Sequence, residues 1–548
     1  MKIRNLTSLS LAVFLLALFL PVFGFVLFAG TNMDYNEIHK IDTLCSNPVL
    51  LLGAVPALAL FAVLYVLLDK IPLNTYTKAG TVILSFILCA ALCAVKMEIS
   101  KCIAVYGAWD CGNVANSARW FSQGKGLGYE DYYYIYSNNV PMAWLLYILY
   151  QFSGSMPGYP YNPEFIWIQF QCVMFSLAVF MSAMTILLVT RKIAATALGL
   201  LTGLLMVGLC PWQAVPYTDP VTIAMPVMVL LLYALFRRMR HKGRYLIWFL
   251  LILAGMAGGI MKATCYVALL AVLAVDVIWL LSEREGIIPK CKKMGVRIFL
   301  LALGCAAAVW CRAGIYRTLD YIPDHDLEMT WTNFFYNGLN ESTTGSYSID
   351  GLVIAKAYAG YPRRFRQSVE LHYAWDRIVE KGPLGLMDFW LRKQVMNFND
   401  GTFSWFQEGG FDMWEYENIT NGRWKEALRS FYWAEGDHYR KFVTWSQGIW
   451  IFVLTGIVAQ AVFAVVSVFR EREHTEERCI HSAGILIFIG MFFFVLLFEG
   501  RARYLLNYVP VFMTMAVTGY MKLILLFTGS LSYPFKRPQS RVNHAKSA

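Results

Sequence analysis

The segment FIWIQFQCVMFSLAVFMSAMTILLVT, residues 165–190, contains no charged side chain. A helix needs about 20 consecutive apolar residues to cross the hydrocarbon core of a bilayer, so this segment predicts a transmembrane helix. Other segments of the chain meet the same length criterion. The sequence therefore predicts an all-α polytopic membrane protein with about 12 transmembrane helices. The predicted spans lie near residues 8–30, 47–69, 79–97, 165–190, 193–211, 221–237, 245–261, 263–282, 297–314, 444–469, 479–498 and 505–528.

The composition supports the same class. The 548 residues are 58% hydrophobic and 15% charged, whereas soluble domains have about 45–50% apolar and about 25% charged residues. The formal net charge is +11, but the basic residues are concentrated in short connections between apolar spans. This clustering is typical of the cytosolic loops of membrane proteins, and it argues against nucleic acid as a partner.

The alternation of charge between successive connections orients the bundle. Residues 191–192 and 237–244 are strongly basic, as is the tail, and residues 470–478 contain three arginines beside four glutamates. We therefore expect a multi-pass protein of the cell membrane with these connections and both termini in the cytosol. The opposite connections then face outward, and they carry Asp110, Asp219, Lys262, Arg501 and Arg503.

The spans and connections divide the chain into five parts. The segment 140–153 is too short to cross the membrane comfortably and is predicted to lie in the interface, as is the amphipathic segment around Asp110. The aromatic residues and Gly and Asn turns of 315–443 predict a small ordered extracytoplasmic domain with short helices. The predicted parts are an N-terminal two-helix addition (1–78), a transmembrane core (79–314) with an outer loop (98–164), the extracytoplasmic domain (315–443), the C-terminal transmembrane helices (444–530) and a cytosolic basic tail (531–548).

Asp110 lies shortly after the third predicted span, in WDCGNVANSARWFSQGKG (109–126). A carboxylate held at the membrane surface is partly desolvated, which makes it a better general base. The alternative is a structural role, as a helix N-cap or as an interfacial acid that reaches water.

Asp219 and Lys262 are the next candidates. Asp219 lies between two prolines at the start of the sixth predicted span, where either a functional role or a helix cap fits the sequence. Lys262 lies between two apolar stretches, and an ionisable residue at such a depth is a functional candidate by default. Its alternative is a side chain that extends to the outer interface.

A fourth cluster is EGRARYLLNYVP (499–510), on the side where the positive-inside rule disfavours arginine. The guanidinium groups of Arg501 and Arg503 suit bidentate binding of phosphate; alternatively, they form an ion pair with Glu499 that fixes a turn. Residues 333–351 and 397–410 are rich in amides, hydroxyls and aromatic rings, which suits sugar contacts but equally suits turns. The sequence lacks a P-loop, GxSxG, HExxH and paired CxxC motifs, so we predict no cofactor; a divalent cation is compatible with this prediction but is not required.

These stretches together resemble the multi-spanning glycosyltransferases of the GT-C superfamily, and most of all the Gram-positive bacterial membrane proteins related to protein O-mannosyltransferases and the aminoarabinose transferase. The likeness extends from about residue 105 onward. It is carried by residues 109–126, YYYIYSNN (132–139), PYTDP (216–220), GGIMKAT (258–264), YNGLNESTTGSYSIDG (336–351), NFNDGTFSWF (397–406) and 499–510.

The resemblance implies a sugar donor linked to polyprenyl phosphate, used at the outer face of the membrane without a cofactor. By similarity, Asp110 would be the general base that deprotonates the acceptor hydroxyl, and Asp219 a second acid that orients a substrate. Lys262, Arg501 and Arg503 would hold the departing phosphate. Further substrate contacts would come from Tyr134, Tyr136, Asn138, Asn139 and Tyr504.

We therefore expect an inverting glycosyltransferase that moves a sugar to an extracytoplasmic glycan, lipid or protein acceptor, most simply a cell-envelope glycan. The alternative from another class is a transporter or flippase of lipid-linked sugars, which would also use acids and bases within the membrane. A polymerase or ligase that takes a long lipid-linked glycan would differ only in the size of its donor.

Overall fold

The computed structural model describes residues 3–28, 42–104, 109–154, 163–405, 422–470 and 475–527. Within these ranges the chain is helical and contains no strand. In chain order the helices are α1 (Ile3–Phe28), α2 (Asn47–Leu68), α3 (Thr75–Ile103), α4 (Trp109–Ser122), α5 (Glu130–Ile135), α6 (Val140–Gly154), α7 (Pro163–Thr190), α8 (Ile193–Met206), α9 (Thr218–Thr222), α10 (Met225–Arg238), α11 (Arg244–Met261), α12 (Tyr266–Leu281), α13 (Ile287–Thr318), α14 (Trp331–Asn337), α15 (Ile349–Ala357), α16 (Arg363–Phe398), α17 (Lys425–Tyr432), α18 (Tyr439–Arg470), α19 (Thr475–Leu497) and α20 (Val509–Phe527).

Eleven stretches in the described ranges are helical, long and apolar enough to cross a membrane. They correspond to the predicted spans with one difference, which concerns residues 193–211. The helix there, α8, ends at Met206 after 14 residues, a rise of about 21 Å. The chain then continues through a loop and a short 3₁₀ turn (Trp212–Ala214) toward the short helix α9.

The spanning helices form a bundle with a clear inside and outside. In α7, 72% of the most apolar stretch is buried, against 11% in both α2 and α13. Since the exposed side chains of α2 and α13 are largely apolar, for example Leu52 and Val309, these helices present lipid-facing surfaces. Helices α18 and α20 pack most closely: a Cβ atom on Gly519 would lie 2.2 Å from the carbonyl oxygen of Gly456. Small residues permit this contact between membrane helices.

The loop predicted to face outward, 98–164, forms α4, α5 and α6 between the end of α3 and the start of α7, where it is described. Helix α6 covers the segment predicted to lie in the interface, and its residue Leu146 is buried in a cluster with Tyr133 of α5 and Trp167 of α7. A 3₁₀ turn (Ser137–Asn139) joins α5 to α6. The loop is therefore packed against the bundle and holds its polar side chains in fixed positions.

The segment 315–443 is largely helical where it is described, and α16 is its longest element. Gly382, with φ of 62°, kinks α16 just before Pro383. After the kink, Val395 and Phe398 enter the main hydrophobic core of the bundle. This part of the segment therefore shares its core with the spanning helices. The predicted cytosolic tail, 531–548, lies outside the described residues.

Candidate functional site

Asp110 lies in the first turn of α4, and two tyrosine hydroxyls hold its carboxylate. Tyr132 Oη donates to Asp110 Oδ1 at 2.7 Å, and Tyr217 Oη donates to Oδ2 at 3.1 Å. Tyr132 comes from α5, whereas Tyr217 immediately precedes α9. Each carboxylate oxygen has two lone-pair directions, so each keeps one for another donor.

Tyr132 is itself fixed by its neighbours. Asn139 Nδ2 donates to Tyr132 Oη at 2.6 Å, and Asn138 Nδ2 donates to Asn139 Oδ1 at 3.1 Å. Burial, together with the charge of Asp110, raises the pKa of Tyr132 well above its usual value. Tyr132 therefore stays protonated at neutral pH and acts as a fixed donor to Asp110.

The other predicted residues of this stretch are Tyr134, Tyr136, Asn138 and Asn139. The ring of Tyr136 lies 5.0 Å from that of Tyr132. Asn138 is exposed, whereas Asn139 is buried. Tyr134, like Tyr132, packs against the cluster that contains Tyr133 and Leu146. The structure thus brings Tyr136 and Asn139 into contact with Tyr132, the partner of Asp110.

Tyr217 links Asp110 to Arg503. Arg503 Nη2 donates to Tyr217 Oη at 3.3 Å, and its guanidinium carbon lies 4.1 Å from the centre of the Tyr217 ring. The hydroxyl of Tyr217 therefore accepts from a cation and donates to a carboxylate. Asp110 of α4 and Arg503, just before α20, are therefore separated by a single side chain.

Arg503 continues this chain of contacts to Asp219 and Lys262. Arg503 Nε lies 3.4 Å from Asp219 Oδ2, and Lys262 Nζ lies 2.5 Å from Asp219 Oδ1. The ammonium group of Lys262 also lies 4.6 Å from the ring centre of Tyr504. The structure thus brings together five of the predicted site residues, contributed by segments far apart in the sequence: Asp110, Asp219, Lys262, Arg503 and Tyr504.

Asp219 is fully buried between its two cation partners. Its side chain is 0% exposed, and those of Lys262 and Arg503 are 11% and 9% exposed. The N-cap of α9 is Tyr217, and no side chain caps that helix, so Asp219 does not serve as a cap. Its single negative charge is shared by two cations, which leaves the trio with a net charge of +1.

Arg501 and Glu499 precede Arg503 in the same loop. In the described part of the chain, the ion pairs of Asp219 run to Lys262 and Arg503 and not to Arg501. Glu499 accepts from Tyr504 Oη at 3.0 Å and from Asn337 Nδ2 at 3.2 Å. Glu499 thereby connects Tyr504 to α14 of the segment 315–443.

Two buried lysines hold the loops that carry these residues. Lys96, from the spanning helix α3, donates to the carbonyl oxygens of Val207, Gly208 and Cys210 at 2.8–3.2 Å. These carbonyls follow the last turn of α8, and a cation there satisfies groups that a helix end leaves without partners. Gln171 Nε2 donates to the carbonyl oxygens of Gln213 and Val215, at 2.8 and 2.9 Å. The loop that leads to Tyr217 and Asp219 is therefore fixed along its length.

Lys393 binds the start of the loop that carries Arg503 and Tyr504 in the same way. From α16, its ammonium group donates to the carbonyl oxygens of Gly338, Leu496 and Phe498 at 2.6–3.0 Å. Leu496 and Phe498 flank the end of α19, directly before the loop that carries Arg503 and Tyr504. The loop after α8 and the loop after α19 thus each have a lysine bound to the carbonyl oxygens at the end of the preceding helix.

Sequence reasoning did not single out Tyr132, Tyr217, Gln171, Lys96 or Lys393. Lys96 carried a usable signal, because a lysine within an apolar span is rare. Tyr217 lies inside the PYTDP stretch, but nothing in the sequence says that its hydroxyl meets Asp110. Among the described residues there is no group of three or more His, Cys, Asp or Glu side chains that could hold a metal ion.

Comparisons with known proteins identify the family. A family model described as "Conserved hypothetical integral membrane protein" matches residues 3–522, almost the whole chain, so the protein belongs to that family. It is an all-α, multi-pass integral membrane protein. Searches of curated proteins and of solved structures return no match.

Proposed function

We propose that this protein is a membrane glycosyltransferase that moves a sugar from a polyprenyl-phosphate carrier to an acceptor at the outer face of the membrane. The proposal rests on one observation above all. The Asp110 carboxylate is held by two tyrosine hydroxyls, and one side chain separates it from two cations, Lys262 and Arg503. These two cations share a single buried carboxylate, so the trio has a net positive charge. A base beside an anion-binding centre is what displacement of a phosphate by a hydroxyl requires.

Asp110 acts as the general base in this mechanism. The Tyr132 and Tyr217 hydroxyls fix the orientation of its carboxylate, and a remaining lone pair accepts the proton of the acceptor hydroxyl. The acceptor oxygen then bonds to the anomeric carbon of the donor sugar. The bond from that carbon to the phosphate oxygen breaks, and the electron pair leaves with the lipid phosphate. One base opposite one leaving group gives inversion at the anomeric carbon.

Arg503 and Lys262 stabilise the negative charge that develops on the phosphate. Asp219 is a positioning residue: it is fully buried between the two cations and fixes where their charges lie. The net charge of the trio is positive, which favours an incoming phosphate. Because a lipid monophosphate carries less charge than a nucleotide diphosphate, two cations can stabilise it without a metal ion.

Donor turnover by the purified protein tests the proposal. The protein would be reconstituted in vesicles with a panel of radiolabelled polyprenyl-phosphate monosaccharides and a membrane fraction that supplies acceptors. The proposal expects label to leave the lipid for one donor in the wild type and to stay on it in Asp110→Asn. An exposed acid on the following helix supplies the matched control, Asp131→Asn, which is expected to transfer at the wild-type rate.

The same experiment separates the enzyme from a flippase of lipid-linked sugars. A flippase would move the labelled lipid across the bilayer without removing the sugar. Label that becomes accessible on the opposite leaflet but remains soluble in organic solvent would therefore support the transporter and contradict the transferase.

A further inference from the structure

Four arginines converge at the end of the bundle opposite the candidate site. Arg237 lies in the last turn of α10 and Arg244 begins α11, whose 18 residues rise about 27 Å to Lys262. Arg297 of α13 lies 2.7 Å from Asp276 Oδ2, and Arg237 lies 3.5 Å from Asp276 Oδ1. Arg4 of α1 donates to the carbonyl oxygen of Trp279, one turn after Asp276, at 3.1 Å. We call Arg4, Arg237, Arg244 and Arg297 the arginine cluster.

The charges in and around this cluster do not balance. Asp276 is the carboxylate at its centre and is 1% exposed. Glu283 interacts with Arg4, Arg237 and Arg297, but it also pairs with Lys293, which in turn pairs with Glu285. The group therefore contains five cations (Arg4, Arg237, Arg244, Arg297 and Lys293) and three carboxylates (Asp276, Glu283 and Glu285), and 5 − 3 leaves two positive charges without a counter-charge among them.

The burial of the cluster separates it from an ordinary basic membrane surface. Arg297 is 4% exposed, and its Nε and Nη2 atoms have no hydrogen-bond acceptor among the described residues. The Nε atoms of Arg4, Arg237 and Arg244 are likewise buried without an acceptor in that part of the chain. The positive-inside rule explains arginines that face water at this end. It does not explain several donors that are removed from water together.

Aromatic rings leave the edges of two guanidinium groups available. The guanidinium carbon of Arg244 lies 4.4 Å from the centre of the Phe236 ring, and that of Arg297 lies 5.2 Å from Phe236 and 5.6 Å from Trp248. A ring that contacts the face of a guanidinium does not occupy its N–H groups, which point outward in the plane. Planar forks of this kind match the oxygens of a phosphate group.

We propose that the arginine cluster binds a phosphate group, supplied by the headgroup of an anionic lipid or by free phosphate. One phosphodiester or phosphate anion would provide the missing negative charge and acceptors for the buried N–H groups. Basic pockets between membrane helices are known binding sites for lipid headgroups, and the cluster lies at the ends of spanning helices. This site is separate from the one that holds Asp110 and does not depend on the proposed function.

Thermal unfolding of the purified full-length protein tests this site. The probes are phosphatidylglycerol in mixed micelles, with phosphatidylcholine as the neutral lipid, and inorganic phosphate without added lipid. Arg244→Gln is the main variant, because Arg244 removes no ion-pair partner from Asp276. Arg240→Gln and Arg284→Gln, exposed arginines near the same ends of these helices, are the matched controls. A site of useful affinity should raise the unfolding midpoint of the wild type by roughly 3 °C or more.

The two sources of phosphate give different results. If the lipid is the ligand, phosphatidylglycerol raises the midpoint of the wild type and of both controls, while Arg244→Gln loses most of the shift. If free phosphate is the ligand, inorganic phosphate produces the same pattern. The proposal is overturned if neither probe stabilises the wild type more than phosphatidylcholine does, or if Arg244→Gln responds as fully as Arg240→Gln. Arg4→Gln repeats the test should Arg244→Gln fail to fold.

Discussion

Replacing Tyr217 with phenylalanine removes one atom from the centre of the candidate site. The Tyr217 hydroxyl donates to Asp110 Oδ2 and accepts from Arg503 Nη2, whereas its ring, on which Arg503 stacks at 4.1 Å, remains in Tyr217→Phe. The variant thus separates the hydrogen bonds from the packing.

A hydrogen bond to a charged group contributes about 1.5–3 kcal/mol. If the bond to Asp110 is needed in the transition state, its loss lowers kcat by roughly 10- to 150-fold, at about 1.4 kcal/mol for each factor of ten. The KM for the donor should change little, because Arg503 keeps its ion pair with Asp219. The fold should also survive, since the change removes a hydroxyl from a half-buried side chain.

The assay is the initial rate of sugar release from the polyprenyl-phosphate donor, with the unfolding midpoint measured on the same preparation. Tyr129→Phe is the matched control: its side chain is 39% exposed and stacks on Trp120, away from Asp110. A Tyr217→Phe protein that turns over within threefold of the wild type would refute the reasoning, because the Asp110 carboxylate would then not depend on this donor.

Three further predictions concern the site and the segments around it. Lys96→Met should lower the free energy of unfolding by about 3 kcal/mol, since it leaves three carbonyl oxygens after α8 without their donor; an unchanged unfolding midpoint would contradict this. Arg503→Lys should lose at least tenfold in transfer rate, because one ammonium group does not reproduce the fork that joins Tyr217 to Asp219; a wild-type rate would show that charge alone suffices. Although burial raises the pKa of Glu328, its contacts with Ser137, His325 and Arg363 outweigh burial and hold the pKa below its usual value. The resulting stabilisation is present above the unfolded-state pKa of about 4.3 and is lost as pH falls through the lower folded value; Glu328→Gln should therefore show a smaller drop in unfolding midpoint between pH 6 and pH 3.5 than the wild type, and equal drops would contradict it.

The spanning helices could be predicted because hydrophobic length is a local property. The predicted span 165–190 and the observed helix Pro163–Thr190 differ by two residues at the start. The span 193–211 differs more, since α8 ends at Met206. The carbonyls after α8 receive their hydrogen bonds from Lys96, more than a hundred positions earlier in the chain. No window of sequence around α8 contains that information.

In the candidate site, too, the individual residues could be predicted from the sequence, but their contacts could not. Asp110, Asp219, Lys262 and Arg503 were singled out because charged residues near the membrane are costly and therefore informative. Their partners were not predictable, because the contact of Asp219 with Lys262 and Arg503 is a tertiary one. From the sequence, Asp219 could equally have been a helix cap. In the structure, its carboxylate instead forms ion pairs with Lys262 and Arg503.

Single-turnover transfer by Asp110→Asn is the most direct test of the central claim, that this carboxylate is the base of a sugar transfer. The account predicts that the variant binds the labelled polyprenyl-phosphate sugar within about threefold of the wild-type Kd, because Arg503, Lys262 and Asp219 are unchanged, while the rate of sugar release falls by roughly 10²–10⁴-fold. Release at the wild-type rate by a folded Asp110→Asn protein would contradict the account.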